Sequence, residues 1–273
     1  MQEVKVSRGS YAPRNQRGAT LILVLLILLC LTLIGAYSVR QSATDASLTT
    51  SSQINELTFQ TSEMALAKIE ADARNNSNSL EITNFRGYLL QPDKTNNPIT
   101  FCLRPKSSRL FSYQQITESL LGQPGSFVSG KNGGFCNPNA SADFLTSRNA
   151  SMTQVTAVNT IPDKCINFAC ELDGTSTNDL SLGASDSSIN TKFIQVHSVS
   201  VLPSFAATLG SATSTTTTDL SGCLRNTSML RAGADGKPEY DSTGMAGCLR
   251  ALNVPHDIHS QTYESYVLGF DTL

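Results

Sequence analysis

No feature of this 273-residue chain constrains its fold more than Ala19-Thr-Leu-Ile-Leu-Val-Leu-Leu-Ile-Leu-Leu-Cys-Leu-Thr-Leu-Ile-Gly-Ala-Tyr37, a run without a charge or a proline. A helix that crosses a bilayer needs ~20 such residues, and inside lipid every backbone N–H and C=O must find its partner within the segment. A stretch that is apolar all round therefore reads as a transmembrane helix; the surface helix of a soluble domain would keep one polar face. Lys5, Arg8, Arg14 and Arg17 precede the run against a lone Glu3. The positive-inside bias then places the N-terminus in the cytoplasm and the rest of the chain across the membrane.

The length allows this anchor and one sizeable ectodomain. Of 20 basic and 22 acidic residues, four and one lie in the first 18, so the remainder holds 16 against 21, a net charge of −5. Nucleic acid and anionic lipid are gripped through clustered Lys and Arg, so neither is expected as a partner of the acidic ectodomain. Charged residues are only 15% of the chain. A surface solvated instead by Ser, Thr and Asn suits contacts with other subunits.

Seven cysteines divide informatively. Cys30 lies in the apolar run and reads as a small apolar residue. Cys102, Cys136, Cys165, Cys170, Cys223 and Cys248 lie beyond it, an even number in an oxidising compartment where disulfides persist. No CxxC or Cys/His pair has zinc spacing. Six cysteines allow several connectivities, and sequential pairing is expected, with 165–170 as a tight local loop because short loops close most readily.

After Tyr37 no proline interrupts the chain until Pro92. Phe59, Leu66, Ile69 and Ala73 fall along one helical stripe, with Ile54, Leu57, Thr61, Met64 and Ala65 in a second beside it. The run stops at Asn75-Asn-Ser-Asn-Ser79, where Asn and Ser favour turns. The pattern predicts one helix over 19–74, roughly 80 Å long at 1.5 Å per residue. The expected organisation is a leader at 1–18, a membrane half at 19–39, an amphipathic half at 40–78 and an ectodomain at 79–273. Strands are expected at 99–103, 152–159, 192–202 and 261–270, the firmest being 192–202, which alternates and ends at Pro203. A short helix is expected at 112–121, with polar loops at 122–138, 173–188 and 211–218. The fold class that follows is α+β, a long helix laid on an antiparallel sheet with disulfide-tied loops.

Little chemistry is legible. His256-Asp-Ile-His259 brings two imidazoles near a carboxylate without an evident third metal ligand, and reads as surface histidine. His197 alternates with apolar residues and reads as a sheet-face histidine. The oxygen donors at 173–179 and at Asp235, Glu239 and Asp241 do not match a calcium loop and read as turns. Nucleophile-elbow, P-loop and dinucleotide motifs are missing, so no catalytic residue, metal or cofactor is expected.

Arg17-Gly18 followed by Ala19-Thr-Leu-Ile-Leu23 resembles the prepilin leader and cleavage site of type IV pilins and type II secretion pseudopilins. Cleavage by prepilin peptidase between Gly18 and Ala19, and N-methylation of Ala19, are what the resemblance implies. Leu31-Thr-Leu-Ile-Gly35 and the stretch through Phe59, Gln60, Glu63, Ala65 and Leu66 look like the N-terminal region of PilX-type minor pilins. That likeness covers about the first quarter of the chain and implies a pilin-like fold. Read alone, Glu63 is an exposed helix carboxylate with Lys68 and Arg74 near it for weak pairing.

Pilins of this kind usually carry glutamate at the fifth mature position, where it meets the amine of a neighbour. Here that position is Leu23. An unpaired charge in hydrocarbon costs ~2.5–3.5 kcal/mol even on insertion scales, and a subunit with no neighbour above it avoids that cost with leucine. The resemblance thus implies a minor pilin that leaves the inner membrane, packs on other minor pilins and the major pilin through its N-terminal helix, and meets an adhesin at the pilus tip, supporting twitching and adhesion. The alternatives are a K-type pseudopilin at the tip of a type II secretion machine, or a membrane-anchored periplasmic binding domain.

Overall fold

The computed structural model describes residues 19–75, 84–91, 94, 96–107, 110–121, 127–146, 148–160, 187–214 and 216–270. The chain divides into two compact units, Met1–Gln53 and Ile54–Leu273. Helix α1 (Ala19–Asn75) supplies residues to both. It ends within one residue of the position that the Asn/Ser run predicts.

In the first unit, 21–53 is continuous helix with every residue exposed. Hydroxyls in it bond back to their own helix: Thr32 donates to the Leu29 carbonyl at 2.8 Å, and Thr44, Thr49 and Thr50 to carbonyls four residues earlier. That arrangement satisfies the side chain without water. Residues 40–53 are exposed all round, and the first buried residue of α1 is Thr58.

The second unit is built on a six-stranded antiparallel sheet in the order β3-β2-β1-β4-β5-β8. Its strands are β1 (Ile99–Cys102), β2 (Thr117–Ser119), β3 (Phe127–Asn132), β4 (Met152–Thr160), β5 (Ser187–Val201) and β8 (His256–Phe270). A separate hairpin pairs β6 (Leu230–Ala232) with β7 (Pro238–Tyr240). Three short helices complete the unit: α2 (Phe85–Leu89), α3 (Leu220–Asn226) and α4 (Met245–Ala251).

Strand alternation sorts the core into two layers. Ile99, Phe101, Val155, Ala157, Ile194 and Val196 share one cluster with Ala65, Leu66 and Ile69 of α1 and Phe85, Tyr88 and Leu89 of α2. Met152, Val199 and Val201 share the other with Leu220, Leu224, Met245 and Leu249 of α3 and α4. Central β4 is buried along its whole length, although it carries Thr153, Gln154, Thr156 and Asn159. Each of these makes at least one side-chain hydrogen bond, as burial favours, although the buried Asn159 Oδ1 has none among the described residues. Gln154 accepts from the Cys136 N–H and donates to the Leu224 carbonyl, and Asn159 donates to the Leu89 carbonyl.

Two disulfides tie sequential cysteines, Cys102–Cys136 and Cys223–Cys248. The first joins β1 to the segment after β3, and the second joins α3 to α4. Cys165 and Cys170 lie outside the described residues, as does the loop expected at 173–179.

The helix expected at 112–121 is instead a 3-10 turn at Tyr113–Gln115 followed by β2. Pairing of Thr117 with Thr100, and the Gly134 N–H donating to the Thr117 hydroxyl at 2.9 Å, hold this segment extended. Tertiary partners outweigh a weak local preference here. Gly134 itself is required: a Cβ there would lie 2.0 Å from the Thr100 carbonyl oxygen.

Candidate functional site

The first candidate surface is the apolar part of α1. No charged residue lies between Arg17 and Arg40, and Leu21–Arg74 contains a window long and apolar enough to cross a membrane. Fourteen large apolar side chains between Leu21 and Val39 are exposed, Leu23 to 62%. Covering a single leucine or isoleucine is worth ~1.5–3 kcal/mol, and the stretch is long and apolar enough to cross a membrane. Cys30 is free and exposed on the same helix. Ala19 is the first described residue of α1, and Gly18 lies outside the described residues.

The second candidate is the seam where the lower part of α1 meets the sheet. The buried helix positions are Thr58, Thr61, Ser62, Ala65, Leu66 and Ile69, an i, i+3, i+4 series that defines one face. Its first turns are hydroxyl-lined, and the sheet answers in kind. Thr61 and Ser200 hydroxyls bond each other, Thr153 donates to the Thr61 carbonyl and Ser198 to the Ser62 carbonyl. Small side chains let the helix backbone come within hydrogen-bonding reach of the strands. Phe59 and Ala73, assigned to the core stripe by spacing, are exposed; the polar Thr58 and Ser62 hold the buried positions in their stead.

Along β8, Asp257, His259, Gln261 and Tyr263 alternate onto the α1 side. His259 lies between two carboxylates, with Nδ1 2.8 Å from Glu63 and Nε2 3.2 Å from Asp257. Phe59 meets the His259 ring edge-on at 4.8 Å, and Ser62 donates to Asp257. Tyr263 donates toward Glu70 and to Gln261, and Gln261 donates to Glu70. Burial first, and then the Glu70 carboxylate, pushes the Tyr263 phenol well above its ordinary range. Glu63 therefore bonds across to β8 and not along the helix to Lys68 or Arg74. Arg74 pairs with Glu70.

No protein family, curated protein or solved structure matches this chain. What it can do must be argued from its own residues.

The remaining sequence candidates fall apart as a common site. His256 contacts the Val254 carbonyl through Nδ1 at 2.9 Å. Asp235 accepts from the Lys237 N–H, Glu239 pairs with Arg231, and Asp241 accepts from both the N–H and hydroxyl of Thr243. Those Thr243 bonds hold the Asp241 carboxyl below its ordinary range. Among the described residues no group of three or more His, Cys, Asp or Glu is placed to hold a metal ion.

On the face opposite α1, sequence reasoning set His197 on a sheet face without foreseeing its burial, and it missed the cap at Asp219. His197 is buried, with Nδ1 2.6 Å from the Ser260 hydroxyl and its ring stacked on Tyr240 of β7 at 6.0 Å. Burial drives its pKa down from 6.5 to about 4. Asp219 caps α3, accepting from the Gly222 N–H at 2.7 Å and from the Ser214 and Thr216 hydroxyls. Desolvation would raise its pKa, but these three donors outweigh it and hold the carboxyl below the usual range. The signal for the cap was legible, since Asp219 stands directly before Leu220.

Proposed function

We propose that this chain is a minor pilin of the PilX type. In this reading it is held in the inner membrane by 19–39 with its N-terminus in the cytoplasm. It is then cut between Gly18 and Ala19, and moves into a type IV pilus, where it helps start assembly and stays near the tip. The observation that carries the reading is the stretch 21–39: a helix of large apolar side chains, all exposed, directly behind Arg17-Gly18-Ala19. Lipid covers such a helix before assembly, and like helices cover it afterwards.

Leu23 supports a tip position. A subunit buried in the shaft has a neighbour to neutralise a glutamate at this point, whereas a terminal subunit would hold that charge unpaired in an apolar setting. The Ile54–Leu273 unit, an α+β fold with two disulfides, would then be the part presented to other minor pilins and a tip adhesin.

Deleting the gene tests this reading. Surface pili and twitching are expected to fall, with both restored by the wild-type chain. Normal piliation in a strain with active retraction would refute it. Leu23 equally fits a K-type pseudopilin, and a secretion defect with intact pili would select that assignment.

A further inference from the structure

We propose that the outer edge of β8 is a docking site for an extended, basic segment of another protein, which adds to the sheet as a seventh strand. β8 is the end strand of the sheet, and among the described residues no backbone group bonds its outer side. An end strand offers a row of N–H and C=O groups, and proteins blunt such edges with charged side chains, lysine above all, with proline or with a bulge, while glycine weakens a strand. The opposite edge follows that rule: β3 contains Gly130 and Lys131, and its register with β2 is broken between Thr117 and Ser119. β8 departs from it in all but its acidic residues. It pairs with β5 without interruption from Ser187↔Phe270 to Val201↔His256 and has no lysine, no proline and no glycine before Gly269. No residue of 256–264 is buried. Among the described residues it is a long, regular edge without a backbone partner on its outer side.

Charge selects the guest. Glu56, Glu63 and Glu70 recur every seven residues on α1, and the last two lie over β8 through their contacts with His259, Gln261 and Tyr263. Asp257 adds a third carboxylate to this border, where His259 lies between Glu63 and Asp257 and Arg74 pairs with Glu70. A guest strand lies ~4.8 Å beyond β8, so its side chains on the α1 side would line the same border. Opposite charges across neighbouring strands stabilise and like charges destabilise. Lysine or arginine at alternate guest positions fits. A second copy of this chain would bring the same acidic row to the junction and does not. N-terminal processing and occupancy of β8 are read by different measurements, so this proposal and the filament reading fail separately.

The test uses the full chain in detergent with a labelled synthetic strand that alternates lysine with valine and threonine. Binding is followed by fluorescence anisotropy, and hydrogen exchange reports the amides of 257–264. The expected result is saturable binding that protects those amides, with affinity about tenfold weaker for the Glu63→Gln/Asp257→Asn variant. Circular dichroism verifies that variant's fold. A guest strand N-methylated on alternate amides tests backbone pairing independently of any substitution in the protein, and it should not bind. Absence of binding, binding without protection of 257–264, equal binding of a strand with glutamate for lysine, or protection through self-association of the chain would each overturn the proposal.

Discussion

Replacing His197 by asparagine should flatten the pH dependence of stability of the Ile54–Leu273 unit. The imidazole is buried against Tyr240, with Ser260 bonded to Nδ1 and, among the described residues, no partner for Nε2. Burial disfavours the charged form, and the folded pKa falls from 6.5 to about 4. Between those values the unfolded chain holds a proton that the folded chain does not. Stability therefore rises with pH across the window, is fully present above 6.5, and is lost as pH falls through about 4. With these two pKa values the loss between pH 7 and pH 5 is about 2 kcal/mol, approaching a limit on the order of 3 kcal/mol at lower pH. Asparagine keeps a polar atom near the Ser260 hydroxyl but does not titrate. Urea unfolding of the full chain in detergent, followed by near-ultraviolet circular dichroism, gives stability at the two pH values for both proteins. The variant should lose about 2 kcal/mol less than the wild type over this interval, whatever its stability at pH 7. Equal losses in the two would refute the assignment of a neutral, desolvated His197.

Thr61→Val removes the bond to Ser200 and leaves a buried hydroxyl without its partner, so urea unfolding should show a loss of about 1–2 kcal/mol; adding Ser200→Ala should recover part of it. Replacing Cys223 and Cys248 together by serine opens a loop of 25 residues and should cost about 3–4 kcal/mol, read as a lower urea midpoint that reductant no longer shifts as far as in the wild type. Gly222→Ala should destabilise by about 1–3 kcal/mol in the same assay, because the added Cβ would lie 1.5 Å from the Thr216 carbonyl oxygen. Stability equal to wild type in any of these would contradict the contact concerned.

Patterns that repeat over many residues were legible in the sequence. The helix is announced by its apolar run and its lack of proline, β4 falls within one residue of its expected bounds, and β5 contains the expected alternating stretch but begins five residues earlier, at Ser187, inside the loop expected at 173–188. The buried face of α1 was not, because hydrophobic spacing cannot single out a contact made by Thr58, Thr61 and Ser62 with Ser198 and Ser200. Helices α3 and α4 have seven residues each, too few for a period to emerge, and they are joined to each other by Cys223–Cys248. The seam was barely legible: the resemblance drew attention to Glu63, but the last strand was expected only over 261–270, so Asp257 and His259 read as surface residues ahead of it and not as part of β8. That these three meet depends on a pairing nearly 200 positions apart in the chain, which local pattern does not encode.

The central claim is that the apolar helix survives maturation and begins at Ala19. Mass spectrometry of the mature N-terminus, on protein recovered from membranes and from sheared surface fibres, tests it most directly. The account predicts a chain starting at N-methylated Ala19 in both fractions. A chain that keeps Met1 in both fractions, or one cut after Ala36 and released without its helix, would contradict it.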